Sequence, residues 1–187
     1  MKSLIGIDEV GRGCWAGPLL IVAARQRGEM PAGTKDSKLL TRQKREQLFD
    51  KILEVADIGQ GWVMPSEIDR FGLSHAMRIG TDRALNELDA MTSETIVFDG
   101  NINYCSPEFI KASAVIKADD LFPIVSAASI VAKVLRDRYM ADLPERYKVY
   151  DFVSHVGYGT KEHARLLREH GISDMHRRSF KPIKAYL

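Results

Sequence analysis

Cysteine is scarce in this chain: Cys14 and Cys105 are the two in 187 residues. Two thiols make no disulfide framework, and no zinc-ligand spacing is present, so a reduced, cytosolic setting is expected. Long apolar runs are lacking as well. The longest, around Leu121 to Leu135, carries Lys133 and falls short of the ~20 apolar residues of a membrane span. The first segment has one lysine and reaches Asp8 and Glu9 too soon for the apolar core of a secretory leader. A soluble, cytoplasmic protein is therefore expected. No Walker A motif and no Gly-x-Ser-x-Gly elbow occur, which sets aside a phosphate-binding loop of that type and a serine hydrolase. None of the five histidines makes a zinc pair at helical spacing; His163 and His170 lie seven apart. The spacing of Gly11, Gly13 and Gly17 is wrong for a dinucleotide turn.

Net charge is also small, +2, so the whole-chain balance says little about partners. Its distribution says more. From Thr160 to Leu187 seven Lys or Arg face three acids, leaving a basic tail on a mildly acidic body. That arrangement suits a polyanion contact combined with an acidic metal site, although a basic tail can equally be a solvated one. Hydrophobic content of 45% and charged content of 28% are those of an ordinary globular enzyme, and the length allows one domain with a full core.

The most informative segment is Ile5-Gly6-Ile7-Asp8-Glu9-Val10-Gly11-Arg12-Gly13. A short apolar run reads as a buried strand, ending in two carboxylates that are costly to desolvate unless a cation meets them. Hard divalent ions prefer oxygen ligands. The Gly-Arg-Gly turn adds backbone N–H groups and one guanidinium, which suit a phosphate. Further along, Thr95–Phe98 reads as a buried strand ending at Asp99, and Ala114–Lys117 as another ending near Asp119 and Asp120. If these strands are neighbours, their acids converge. Two divalent ions roughly 3.5–4 Å apart on such a cluster would activate a water and stabilise a leaving oxygen.

The remaining elements follow from punctuation and periodicity. Pro18–Ala24 pairs with the first strand, Thr41 caps a helix to about Ala56, and Gly59–Met64 is a third strand. Pro65 and Ser74 open helical stretches, the second reaching about Leu88; Pro123 opens a helix to about Met140, and Thr160 caps one ending near Gly171. The tail beyond is expected to be irregular. This predicts an α/β fold, a mixed β-sheet flanked by helices, with a helical C-terminal segment. On the helix after Pro123, Ser126, Ser129, Lys133 and Asp137 form one polar stripe. Facing solvent is the simpler expectation for it; the other is support for the acidic site. Tyr158 sits on a glycine turn, Gly157-Tyr158-Gly159-Thr160, where an aromatic either stacks on a base or sugar or merely packs.

Taken together these residues are similar to a known pattern. The chain resembles the type 2 ribonucleases H, ribonuclease HII. The resemblance rests on Asp8-Glu9-Val10-Gly11-Arg12-Gly13, Asp36-Ser37-Lys38-Leu39, Phe98-Asp99-Gly100-Asn101, Lys117-Ala118-Asp119, the stretch Ser126 to Val134 with Arg136-Asp137, Gly157-Tyr158-Gly159-Thr160, and His176-Arg177-Arg178-Ser179-Phe180. They occur in family order over nearly the whole chain. The resemblance implies an RNase H-like fold and an endonuclease that hydrolyses the RNA strand of RNA–DNA hybrids and nicks duplex DNA at embedded single ribonucleotides, leaving 3′-OH and 5′-phosphate ends. It implies Asp8, Glu9, Asp99 and Asp119 as catalytic ligands of two Mg²⁺ or Mn²⁺ ions. Gly11, Arg12 and Gly13 would sense the ribose, Lys38 would touch substrate, and Tyr158 would sense the junction with DNA. Ala118 stands where many bacterial members have Gly, and Asp120 competes with Asp119 for the fourth ligand position. Arg12 argues against the type 3 enzymes, which have Lys in that turn. The expected organisation is a catalytic domain over 1–143 with a segment 144–187 packed on it and contributing to nucleic-acid binding, in a monomer without membrane contact. Another two-metal nuclease of the same fold and a catalytically silent hybrid-binding module remain as alternatives.

Overall fold

A computed structural model of the chain describes residues 4–34 and 40–187; Lys38 and the rest of Asp36-Ser37-Lys38-Leu39 lie outside them. Strands β1 (Leu4–Val10), β2 (Leu19–Gln26), β3 (Ala56–Val63), β4 (Thr95–Asp99) and β5 (Ala112–Val115) form one mixed sheet in the order β3-β2-β1-β4-β5. β1 runs antiparallel to β2 and parallel to β4. The apolar residues of β2 do not alternate with polar ones because both faces of the sheet are covered. Leu20, Val22 and Ala24 meet one layer, formed by helices α1 (Arg42–Val55) and α5 (Pro123–Ala141). Leu19, Ile21 and Ala23 meet the other, formed by α2 (Pro65–Phe71) and α3 (Leu73–Glu87).

The helix starts follow local chemistry. Thr41 caps α1 by accepting from Lys44 N–H, and Pro65 and Pro123 occupy the first turns of α2 and α5, where a missing N–H costs nothing. Three expectations change. Helix α3 starts at Leu73 after Gly72, so Ser74 lies inside its first turn and does not open it. The fifth strand ends at Val115, and Lys117 then adopts a left-handed conformation that starts a one-turn helix, α4 (Ala118–Leu121). Asp119 is thus on a helix and not at a strand end. Nor is the tail irregular throughout. After the 3₁₀ turn Glu145–Tyr150, α6 (Phe152–His155) and α7 (Lys161–His170), it ends in α8 (Lys181–Lys184). Ile183 on α8 is fully buried in a third apolar cluster with Ala16, Met140, Tyr147, Tyr150, Phe152, Leu167 and Met175. That cluster fastens the C-terminal segment to the end of α5 and to the loop between β1 and β2.

Candidate active site

The parallel pairing of β1 and β4 sets Ile7 opposite Phe98, so the next step along both strands sets Asp8 beside Asp99. Ile5, Ile7, Ile96 and Phe98 pack toward α3. Alternation therefore turns Asp8 and Asp99 to the opposite face, under α5. Asp99 Oδ1 accepts the Ala118 N–H at 2.8 Å, which ties the end of β4 to α4 and holds the next residue, Asp119, at the same corner. Asp119 is buried whereas Asp120 is exposed. Glu9 faces the other way along β1 and meets the Arg12 guanidinium at 3.5 Å.

The polar stripe of α5 turns inward to this corner and not to solvent. Ser126 is fully buried and its hydroxyl donates to the Asp119 carbonyl. Ser129 lies beside the Asp8 carboxyl and favours its charged form. Asp137, also buried, accepts from Lys133 at 2.8 Å. The reason is that α5 is covered by the sheet on one side and α1 on another, which leaves its polar residues only the gap at the strand ends.

Crowded carboxylates raise one another's proton affinity. Burial, then the neighbouring Glu9 charge, push the Asp8 carboxyl up to about 8, with a smaller contribution from Asp99. Burial raises Glu9 too, and Arg12 partly offsets it. Among the described residues no three His, Cys, Asp or Glu side chains close on one point as a finished metal cage; Asp8, Glu9 and Asp99 are each held by a bond of their own, to Glu9 N–H, Arg12 and Ala118 N–H respectively. An oxygen-only donor set whose members repel one another is the kind a hard divalent cation would stabilise.

The Gly-Arg-Gly turn borders the acids. Gly11 has φ +85°, and a Cβ there would lie 2.3 Å from Arg136 Nε. Gly13 faces open space, so a ligand edge can approach its backbone. The loop that follows is held by two fully buried arginines. Arg136 donates to the carbonyls of Pro18 (2.8 Å), Val156 (2.8 Å) and Ala16 (3.1 Å). Arg177 donates to those of Arg12 (3.0 Å) and Gly17 (2.9 Å), and burial lowers its pKa to about 10. Arg177 therefore cannot serve as one of the tail's surface cations. Both arginines were visible as motif letters, but charge counting alone reads an arginine as a surface group, and nothing local shows which carbonyls it will meet.

Tyr158 is 41% exposed. Its ring lies 5.8 Å from Lys133 Nζ, and burial, then the neighbouring Cys14, the residue after the Gly-Arg-Gly turn, raise its phenol pKa. The structure thus brings together Asp8, Glu9, Asp99, Asp119, Gly11, Arg12, Gly13 and Tyr158, elements separated by up to 150 residues in the chain.

A mixed sheet of this order, with acids at adjacent strand ends under one helix, defines the class: a metal-dependent nuclease of RNase H-like fold. Comparison with known proteins narrows it. A model of the family described as Ribonuclease HII matches residues 5–183. The chain is 41% identical over 184 residues to ribonuclease HII of Shewanella loihica, covering 97% of this chain and 88% of that one. It is 39% identical over 178 residues to ribonuclease HII of Thermotoga maritima, covering 95% and 73%. Among solved structures it superposes on RNase HII in the PCNA:RNase HII complex from Archaeoglobus fulgidus with TM-score 0.81 at 28% identity, covering 97% and 96%. On the ribonuclease H2 of Pyrococcus horikoshii the TM-score is 0.80 at 29%, covering 98% and 96%. Bst-RNase HIII in complex with Mn²⁺ shares the fold, with TM-score 0.73 at 22% identity, covering 98% and 68%. The chain belongs to the ribonuclease HII family. It is a metal-dependent endoribonuclease that cleaves the RNA of RNA–DNA hybrids and acts at single embedded ribonucleotides. No helix of the described residues is long and apolar enough to cross a membrane.

Proposed function

We propose that Asp8, Glu9, Asp99 and Asp119 are the ligands of two divalent ions, Mg²⁺ or Mn²⁺, at the catalytic centre. The observation that carries this is the side-by-side placement of Asp8 and Asp99 on one face of two parallel strands, with the Asp8 carboxyl pushed up to about 8. Bound there, the ions would supply an activated water and stabilise the departing 3′ oxygen, which leaves 3′-OH and 5′-phosphate ends. Gly13 opens the backbone to a sugar edge, and the 2′-OH is what distinguishes RNA from DNA at one nucleotide. The exposed Arg12 guanidinium, beside Glu9, steadies the phosphate at the cleaved link. Tyr158 packs on the deoxyribose that follows a single ribonucleotide. Lys38 is assigned a substrate contact from its motif alone. The exposed Arg178, Lys181 and Lys184 follow duplex phosphates, so that segment 144–187 completes the nucleic-acid surface of a catalytic domain over 1–143. The protein works as a monomer in the cytoplasm.

The test is nicking of duplex DNA carrying one ribonucleotide, with the ends mapped. Asp8→Asn should abolish cleavage while substrate binding persists, and Mg²⁺ should raise the Tm of the wild type but not of the variant. Turnover by Asp8→Asn within about tenfold of wild type, a difference of only ~1.4 kcal/mol, would sink the ligand assignment.

A further inference from the structure

Three of the five histidines are buried together beside the Tyr158 turn: His155, His163 and His176. None belongs to the acid cluster. Their ring protons can be placed from backbone groups whose roles are fixed. The Ser173 N–H points at His176 Nδ1 at 2.9 Å, so that nitrogen accepts and the His176 proton is on Nε2. His176 Nε2 lies 3.0 Å from His163 Nε2, which must then accept. His163 therefore carries its proton on Nδ1, and Nδ1 is 2.9 Å from the Tyr158 carbonyl, an acceptor. His155 is fixed in the same way: Nδ1 accepts from the Gly157 N–H at 3.2 Å, and Nε2 donates to the Tyr150 carbonyl at 2.8 Å. The His155 and His163 rings stack at 4.4 Å, with Phe152 edge-on to both.

These contacts converge on one turn. The Tyr158 N–H donates to the His155 carbonyl at 2.9 Å. On its other side the Gly157 carbonyl accepts from Trp15 and Ala16 N–H, at 2.8 and 3.2 Å. The fit is close: a Cβ on Gly157 would lie 2.2 Å from the Ala16 oxygen, and one on Gly159 2.1 Å from the Trp15 ring. Filling a core needs no chain of directed bonds, and apolar rings would do it without desolvating nitrogens. Here the polar atoms of two histidines end on the backbone of a turn whose one large side chain is exposed.

We propose that His176 and His163 form a neutral hydrogen-bonded relay, with His155 stacked on His163 and bonded to the same turn, that positions Tyr158 against the nucleotide following a ribonucleotide, which makes His163 a positioning residue for cleavage at RNA–DNA junctions. The proposal rests on the reading of Tyr158 as the junction-contacting residue. Asn and Gln at position 163 separate the two ends of the relay. The Asn amide occupies the place of Nδ1 and can still donate to the Tyr158 carbonyl. The Gln amide reaches the place of Nε2 and can accept from His176, but it leaves the turn unbound.

The experiment measures kcat/KM for wild type, His163→Asn, His163→Gln and Tyr158→Ala, on duplex DNA with one ribonucleotide and on a continuous RNA–DNA hybrid, below the Tm of every variant. Base or sugar stacking spans roughly 5- to 100-fold in rate. Tyr158→Ala and His163→Gln should both lower the ratio of single-ribonucleotide to hybrid cleavage by at least about fivefold, whereas His163→Asn should hold it within about twofold of wild type. A reduced ratio in Tyr158→Ala with wild-type ratios in both His163 variants, or with equal losses in both, would overturn the relay and leave the Tyr158 reading standing. An unchanged ratio in Tyr158→Ala would overturn the Tyr158 reading, and the relay with it. Should His163→Gln not fold, imidazole ¹⁵N NMR of the wild type at neutral pH decides the point. The Nδ1–H form of His163 with Nε2–H forms of His155 and His176 is expected; Nε2–H on His163 would overturn the relay.

Discussion

The corner where β1, β4 and α4 meet and the seam between the 11–18 loop and the 157–159 turn are neighbours held by opposite electrostatics. At the corner, carboxylates crowd one another and the proton affinities of Asp8 and Glu9 rise. At the seam, Arg136, Arg177 and three histidines are matched to backbone carbonyls and amides. The first is a poor way to stabilise a fold and a good way to hold cations. The second is suited to keeping a loop and a turn in one shape. The contrast separates the residues proposed for the chemistry from residues that fix the backbone around them.

The largest expected effect breaks the corner without touching the seam. Asp99→Asn keeps the oxygen that accepts from Ala118 N–H and loses the charge. It and Asp119→Asn should each lower kcat by about 10³-fold or more, some 4 kcal/mol, with Tm retained. Asp120→Asn, at an exposed position, should stay within about twofold, well under 1 kcal/mol. Single-turnover kinetics on one substrate compare the three, and an inactive Asp120→Asn beside an active Asp119→Asn would move the fourth ligand by one residue.

The converse variant breaks the seam. Arg136→Met leaves the carbonyls of Ala16, Pro18 and Val156 without that donor. An unsatisfied buried polar group costs about 1–3 kcal/mol, and each kcal/mol lowers the Tm of a domain this size by about 2–4 °C. A loss on the order of 10 °C by calorimetry is expected, and a shift below about 2 °C would show that the loop does not need the arginine.

Acid sharpens the comparison, because it acts on the seam through its histidines. Burial lowers the pKa of His163 and of His176 from 6.5 to about 4. The unfolded chain binds protons first, so the contribution of the neutral rings is full above about pH 6.5 and is lost as the pH falls toward 4. At 1.36 kcal/mol per pKa unit this is on the order of 3 kcal/mol per ring. Asp8 and Glu9, whose raised carboxyls bind protons first in the folded chain, gain stability over the same range, so the histidine loss is read as a difference: in urea unfolding between pH 7 and 4 the wild type should fall relative to His176→Asn.

The smallest effect concerns the tail. Lys181 and Lys184 are exposed, whereas Arg177 is spent on the carbonyls of Arg12 and Gly17. The double variant Lys181→Ala, Lys184→Ala should reduce the slope of log K against log salt for substrate binding by about 0.9 for each phosphate no longer neutralised. An unchanged slope would assign α8 the role of an anchor through Ile183 alone.

Much of the corner was legible in the amino-acid order. Apolar runs ending in acids mark buried strands with a charge to satisfy, and Asp8, Glu9 and Asp99 are on β1 and β4 as that pattern requires. Asp119 was legible as an acid after an apolar run but not as a helical one, because the left-handed Lys117 that starts α4 carries no local signal. The stripe on α5 was legible as a stripe; whether it faced water or acids depended on which sides of that helix other elements covered. The seam was hardest to read. Tyr158 stands on a glycine turn and His176-Arg177 in a motif, but His155 and His163 belong to none, and nothing near His176 or Arg177 in sequence shows that they are buried against backbone groups.

The sequence by itself determined the elements, the acids at the strand ends and the flexible turns, since these rest on neighbours a few residues apart. Tertiary structure alone decided which acids stand side by side, which face of α5 they meet, and that two arginines and three histidines are buried as fastenings. Those outcomes depend on partners as far apart as Gly17 and Arg177. A buried polar side chain is assigned its role by the backbone groups it must satisfy, and folding is what brings those groups within reach.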